Sequence, residues 1–256
     1  MIPPRCARYG DLVPLVAAAV CPHPPLLVPE VAGAAAAELD DLRAACAAAV
    51  TQLYASGARS IVIVGAGDRS ATLDVPVRGT FAPWGVPIEV RLGGPADGRV
   101  ATEGLPLSLL VGAWLARRVP PPAGADDVSW RMLSLAVDEP AERCAEVGRR
   151  TGTAQPWAML VMGDGSACRG ERAPGYDDPR AAPYDAVVAR ALTAADTGAL
   201  LDLDPELSAE LKVAGRAPWQ VLAGAVRAEG GDWRGELTYD AAPHGVAYFV
   251  ASWRPA

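Results

Sequence analysis

Histidine is scarce in this chain: His23 and His244 are the only two among 256 residues. A non-haem Fe(II) centre of two histidines and a carboxylate would have to use both. Lysine is scarcer still, with Lys212 alone, and the Ala, Arg, Gly and Pro bias suggests a GC-rich coding genome. The chain lacks a surplus of positive charge. Its formal net charge is −7, which argues against a general nucleic-acid binder, because phosphate contacts need Lys and Arg clustered on one face. No C-x-x-C pair occurs among the five scattered cysteines (Cys6, Cys21, Cys46, Cys144, Cys168), so neither a zinc ribbon nor a disulfide framework is expected. An odd, dispersed count fits reduced thiols and a cytoplasmic protein. No apolar run approaches the roughly 18 residues needed to span a bilayer, so no membrane partner is expected.

What is present describes a globular protein. Hydrophobic residues make up 51% and charged residues 21%, enough apolar surface for a full core and unlike a disordered or fibrous chain. Arg5 and Arg8 before the apolar stretch and Cys21 after it loosely mimic an export signal. Val20 is too large for a cleavage site and Pro14 interrupts the run, so Val13–Cys21 reads as a buried first strand. Residues 1–12 are expected to be an N-terminal extension and 13–256 one domain.

Strand-like and helical patterns alternate along that domain. After Val13–Cys21 comes a Pro-rich turn, then a helix over about Ala34 to Tyr54, with Leu39, Leu42, Cys46, Val50 and Leu53 three or four apart. Ser60–Val64 is a nearly continuous apolar run, the mark of a strand buried on both faces. Val86–Leu92 reads as a strand, Leu105–Arg118 as a helix, Met132–Val137 as a strand, and Glu139–Arg150 as a helix. Trp157–Met162 is a further strand, Tyr184–Ala195 a helix, Pro218 the first turn of another, and Gly245–Trp253 the closing strand. The alternation predicts an α/β sandwich whose central sheet is largely parallel or mixed and is flanked by helices.

In such sheets chemistry collects where strands end. Three strand-end loops carry unusual residues: Pro22-His23-Pro24-Pro25, Gly65-Ala66-Gly67-Asp68-Arg69-Ser70, and Gly163 to Arg169. The second nearly spells a dinucleotide fingerprint, but Pro76, Pro83 and Pro87 follow where that motif needs a helix. The third departs from a nucleophile elbow, since Gly165 directly precedes Ser166 and Cys168 stands where a second glycine belongs. Ser166, a later aspartate such as Asp202 or Asp232, and His244 do follow the chain order of a serine hydrolase, and Cys168 is a second candidate nucleophile. The plainer reading makes Asp164 a turn residue satisfying backbone amides. His23, between prolines at the end of a buried strand, is aimed by its neighbours and is the stronger histidine candidate.

Val20-Cys21-Pro22-His23-Pro24-Pro25-Leu26-Leu27, followed by a long helix, resembles the opening of class III extradiol ring-cleavage dioxygenases. These are relatives of the catalytic subunit of protocatechuate 4,5-dioxygenase and of the Memo proteins. The order of later landmarks is similar: Ser60–Val64, Gly163-Asp164-Gly165-Ser166, Pro183-Tyr184-Asp185, Gly215 to Gly224 around Trp219, and Pro243-His244-Gly245-Val246-Ala247-Tyr248. The resemblance implies Fe(II) held by two histidines and a glutamate, with a further histidine as acid/base. The first ligand falls on His23. Where the second belongs there is no histidine and Asp68 is nearest; Ala167 stands at the acid/base position; and no carboxylate lies near Arg216-Ala217-Pro218, Glu210 being upstream.

The resulting expectation is a diverged member without normal ring cleavage that binds a small molecule, aromatic ligands among the candidates, at the strand ends. Asp68, Arg69 and Trp219 are the expected ligand-binding residues. His23 and Asp68 are the expected ligands of Fe(II) or another divalent metal, if one binds. Alternatives are a working metal-dependent dioxygenase or other oxidoreductase with altered ligands, in which His23, Asp68, Asp164, Ser166 and His244 converge. Two more are a structural or partner subunit, since the active families are often oligomeric and a homo-oligomer is among the candidates, and a serine hydrolase using Ser166 and His244.

Overall fold

The computed structural model describes residues 13–73, 75–93, 104–121 and 128–256. The expected extension over residues 1–12, with Cys6, lies outside the described residues. The strands are β1 (Leu15–Cys21), β2 (Ser60–Gly67), β3 (Ala71–Leu73), β4 (Val77–Thr80), β5 (Glu89–Leu92), β6 (Ser129–Ala136), β7 (Trp157–Met162), β8 (Trp233–Ala241) and β9 (Tyr248–Pro255). The helices are α1 (Pro29–Ala32), α2 (Asp40–Ala55), α3 (Leu107–Arg118), α4 (Ala141–Arg150), α5 (Ala181–Ala194), α6 (Thr197–Leu201), α7 (Pro205–Glu210) and α8 (Arg216–Glu229).

Seven strands form one mixed sheet in the order β3-β6-β2-β7-β1-β9-β8, and β4 and β5 pair separately. The centre, β6-β2-β7-β1, is parallel, while β3, β9 and β8 run antiparallel to their neighbours. This is the expected α/β sandwich. Among the described residues no helix is long and apolar enough to cross a membrane.

Side chains alternate across a strand, and here the alternation sorts the core into two layers. Ala17, Ala19, Ile61, Ile63, Ala158 and Leu160 face α2, α3 and the β4–β5 hairpin. Ala18, Val20, Val62, Val64, Met159 and Val161 face α5 and α8 on the other side. Strands that must satisfy both layers are apolar throughout, which is why β7 is buried at every position.

The second layer is organised by α8, whose residues Arg216 to Val226 are all buried. It lies so close to α4 that a Cβ on Gly224 would sit 2.2 Å from the Ala145 carbonyl oxygen, and one on Gly148 would sit 2.0 Å from that of Val221. Only glycine permits this approach. A buried guanidinium fixes the helix start: Arg216 donates to the carbonyls of Val137 (2.6 Å) and Glu139 and to Gln220 Oε1 (3.0 Å). The Gln220 amide then donates to the carbonyls of Leu201 and Leu203, each at 3.2 Å. Together they tie the turn after β6 to the short helices after α5 through groups otherwise costly to bury.

Several elements differ from expectation at their ends. The predicted helix over residues 34–54 begins as a 3-10 turn, Gly33–Leu39, before α2. The predicted strand from Val86 starts only at Glu89, since Pro87 has no N–H to give a ladder. β8 was not anticipated from the sequence at all.

Candidate functional site

The register of the parallel strands decides which strand-end residues meet. Cys21 on β1 lies opposite Met162 on β7, so the chain two residues further on brings His23 beside Asp164. The His23 backbone N–H donates to Asp164 Oδ1 at 2.7 Å, and the imidazole Nδ1 stands 3.6 Å from the same oxygen. That Nδ1 is buried and has no hydrogen-bond partner among the described residues. Burial pushes the Asp164 carboxyl above its ordinary range, and the nearby His23 side chain and N–H oppose the rise without cancelling it. Burial also raises the Tyr248 phenol and the Cys46 thiol nearby, with the Asp164 charge adding to both and a hydrogen bond to Cys21 adding to Cys46.

The loop after β7 is closed by backbone hydrogen bonds. Gly163 donates to Cys21 (2.9 Å), Gly165 to Ala247 (2.8 Å), Ala167 to Leu211 (2.9 Å) and Arg169 to Gly245 (3.1 Å). In return Ala247 donates to Ser166 and Gly215 to Asp164, both at 2.8 Å. Within it Ser166 is fully buried; its Oγ donates to Asp185 Oδ2 at 2.6 Å and its N–H to Asp185 Oδ1 at 2.9 Å. Arg169 completes the arrangement at 3.0 Å from Asp185 Oδ2. Asp185 sits just past the first turn of α5, and only its neighbourhood to Pro183 and Tyr184 marks it in the sequence.

This geometry corrects the hydrolase expectation. The partner of the Ser166 hydroxyl is a carboxylate already paired with Arg169, not the His244 imidazole that the expected serine hydrolase would use to take its proton. His244 is exposed, in a left-handed backbone conformation (φ +58°), with Nε2 3.5 Å from Glu38 Oε2. Cys168 is no nucleophile either: it is buried, its Sγ contacts the carbonyls of Gly175 and Leu211, and burial raises its thiol further from the reactive thiolate. Trp219, expected on a ligand, is wholly buried. Its ring meets Phe249 edge-on at 6.1 Å and packs so tightly under Gly163 and Gly215 that a Cβ on either would collide with the indole. It is a core residue.

Asp68 and Arg69 go elsewhere, for a reason visible in the ladders. β2 stops pairing with β7 at Gly65–Met162 but stays with β6 through Gly67–Ala136. Its exit is therefore directed toward the β6–β3 edge. There Asp68 and Arg69, both exposed, line a cavity of about 460 Å³ with Thr72, Leu73, Leu105 and Ser134. Its lining does not include His23. The Ser134 hydroxyl beneath it is buried and has no hydrogen-bond partner among the described residues.

The donors present do not fit the Fe(II) centre that the resemblance implies. Such a centre needs two histidines and a carboxylate converging with open positions. Here His23 has Asp164 beside it, Asp68 opens on a different cavity and His244 pairs with Glu38. Among the described residues no group of three or more His, Cys, Asp or Glu is placed to hold a metal ion.

No family model matches this chain. No curated protein matches it. Among solved structures it is similar to the uncharacterized protein JW3007 from Escherichia coli K12, at 14% sequence identity and a TM-score of 0.48, over 93% of this chain and 99% of that one.

Proposed function

We propose that this chain is a diverged class III extradiol dioxygenase-like protein that binds a small aromatic molecule at its strand ends and does not perform Fe(II)-dependent ring cleavage. The observation that carries the binding reading is the cavity of about 460 Å³ at the exit of β2. Its size and mixed lining suit a small ligand. Leu73, Val77, Leu105 and Pro106 offer apolar wall to a ring, while Asp68 accepts from hydroxyls, Thr72 supplies a hydroxyl and Arg69 supplies positive charge.

The test is calorimetric titration with a panel of benzoate, catechol and dihydroxybenzoates. The expected result is binding by at least one of them, weakened tenfold or more by Thr72→Trp, which puts bulk on an exposed wall of the cavity. Binding unmoved by that variant, or absent for the whole panel, overturns the reading.

A second reading, an oxidoreductase with altered ligands, draws on the His23–Asp164 contact, where a buried imidazole nitrogen has no hydrogen bond. Protein offered Fe(II), Mn(II) or Zn(II) anaerobically, then assayed for bound metal and oxygen uptake with catechols, separates the two. Near-stoichiometric metal that is lost in His23→Ala supports the second reading over the first.

A further inference from the structure

The opposite end of the sheet carries a second cavity, of about 420 Å³, between the last turn of α2 and the β8–β9 pair. Across that antiparallel ladder Arg234 lies directly opposite Arg254, and Glu236 opposite Ser252, so these four residues share one face. Both arginines line the cavity, together with Gln52, Glu236 and Ser252. Like charges directly opposite one another in a ladder are destabilising. Neither guanidinium has a hydrogen bond or ion pair among the described residues, and the adjacent Glu236 pairs with neither. The Ser252 Oγ is shielded from solvent and has no hydrogen-bond partner among the described residues. Two exposed arginines opposite one another in the ladder, both lining a cavity whose wall also holds an unpartnered hydroxyl, lack an anion.

We propose that Arg234, Arg254 and Ser252 form a binding site for a phosphate group, free or carried on a small molecule. One guanidinium fork already satisfies both oxygens of a carboxylate. Two forks and a hydroxyl offer more donors than that, and match the three terminal oxygens of a phosphomonoester. The site requires the Ser252 side chain to rotate so that its shielded hydroxyl reaches the cavity, and Gln52 supplies an amide donor. Glu236 repels the dianion but leaves the wall with a surplus of one positive charge, in a chain of net charge −7. The volume beyond the phosphate leaves room for an organic portion.

The experiment is titration of the full chain with inorganic phosphate, phenyl phosphate and acetate at fixed ionic strength, followed by calorimetry. Phosphate binds and acetate does not; Arg234→Gln or Arg254→Gln weakens phosphate about tenfold and the double variant abolishes binding, while Arg190→Gln, on the exposed face of α5, changes nothing. Equal affinity for the two phosphates assigns the site to the phosphate group alone, and tighter phenyl phosphate assigns it to phosphorylated small molecules; both uphold it. The double variant, relieved of the facing charges, unfolds at no lower temperature than the wild type, so its loss of binding is not a loss of fold. Phosphate binding that survives in the double variant, disappears with Arg190→Gln, or is matched by acetate overturns the proposal.

Discussion

The loops after β2 and β7 leave the same end of the same sheet, from adjacent strands, yet they spend their polar residues in opposite ways. After β7 the chemistry-bearing side chains are taken up by structure: Ser166 and Arg169 by Asp185, and Asp164 by the His23 N–H. After β2, Ser70 is tied to Glu139 and to the Ala136 N–H, but Asp68 lines a cavity and makes no hydrogen bond or ion pair among the described residues. Position in the sheet explains the contrast. β7 lies between β2 and β1, and its exit is enclosed by the loop before β9 and by Leu211 to Gly215. β2 leaves toward β6 and the short edge strand β3, whose residues are half-buried or exposed among the described residues. A buried loop must satisfy every polar group within the protein, whereas an open one can reserve them for a ligand.

The largest test of this comparison removes the carboxylate that holds the closed loop. Asp185→Ala leaves the buried Ser166 N–H and hydroxyl and the Arg169 guanidinium without their acceptor. A loss on the order of 3 kcal/mol in urea denaturation is expected, because the two buried Ser166 donors are left unsatisfied at about 1–3 kcal/mol each. A loss below about 1 kcal/mol, the usual scale of a single hydrogen bond, would mean the loop is not held as described.

A smaller effect is expected at Asp164, and it depends on pH. The folded state raises this carboxyl above its ordinary range, chiefly by burial. The protonated form is therefore the one the fold favours, and its contribution is fully present below the ordinary carboxylate pKa and lost as pH rises through the folded value. Asp164→Asn keeps an acceptor for the His23 N–H and cannot ionise. Its stability relative to wild type should improve as pH climbs from the ordinary carboxylate range toward neutrality, measured by thermal unfolding at each pH. A difference flat in pH, or one falling as pH rises, would contradict the burial argument.

The cysteines extend the comparison to reactivity. Cys144 is pushed up to about 11 by burial, and Cys46 and Cys168 are raised as well. Alkylation at pH 8 should modify these thiols far more slowly in the native protein than after denaturation, with mass spectrometry of the peptides as readout. Rapid labelling of Cys168 in the native state would reopen it as a nucleophile.

The interior of this fold was the legible part. Ser60–Val64 and Trp157–Met162 are apolar at nearly every position because helices cover both faces, and they emerged as strands where the pattern placed them. β8 did not. It is an edge strand whose Arg234, Glu236, Thr238 and Asp240 are exposed; Gly235 interrupts the inward series of Trp233 and Leu237, and a register shift before Tyr239 turns that residue to the other layer. At the site, His23 and Asp164 could each be singled out by strand-end position, but their meeting depends on a register that composition does not encode. Asp185 acts on Ser166 from 19 residues away in the chain. Trp219 carried a ligand-like appearance because an aromatic residue near glycines reads the same whether the glycines admit a ligand or the indole itself.

The smallest stability effect should come from the open loop, and it sharpens the contrast most. Asp68 is exposed and makes no hydrogen bond or ion pair among the described residues. Asp68→Asn keeps the shape of the side chain and removes only its charge, so a change within about 0.5 kcal/mol is expected in urea denaturation. The same substitution should weaken a hydroxylated aromatic ligand of the neighbouring cavity by about tenfold, since hydrogen bonds to a charged acceptor contribute roughly 1.5–3 kcal/mol against about 1 for a neutral one. A binding loss without a stability loss is the signature of a residue held for a ligand, the reverse of what Asp185 should give. If Asp68→Asn instead costs stability as Asp185→Ala does, or leaves every ligand of the panel unaffected, the two loops do not differ in the way their geometry indicates.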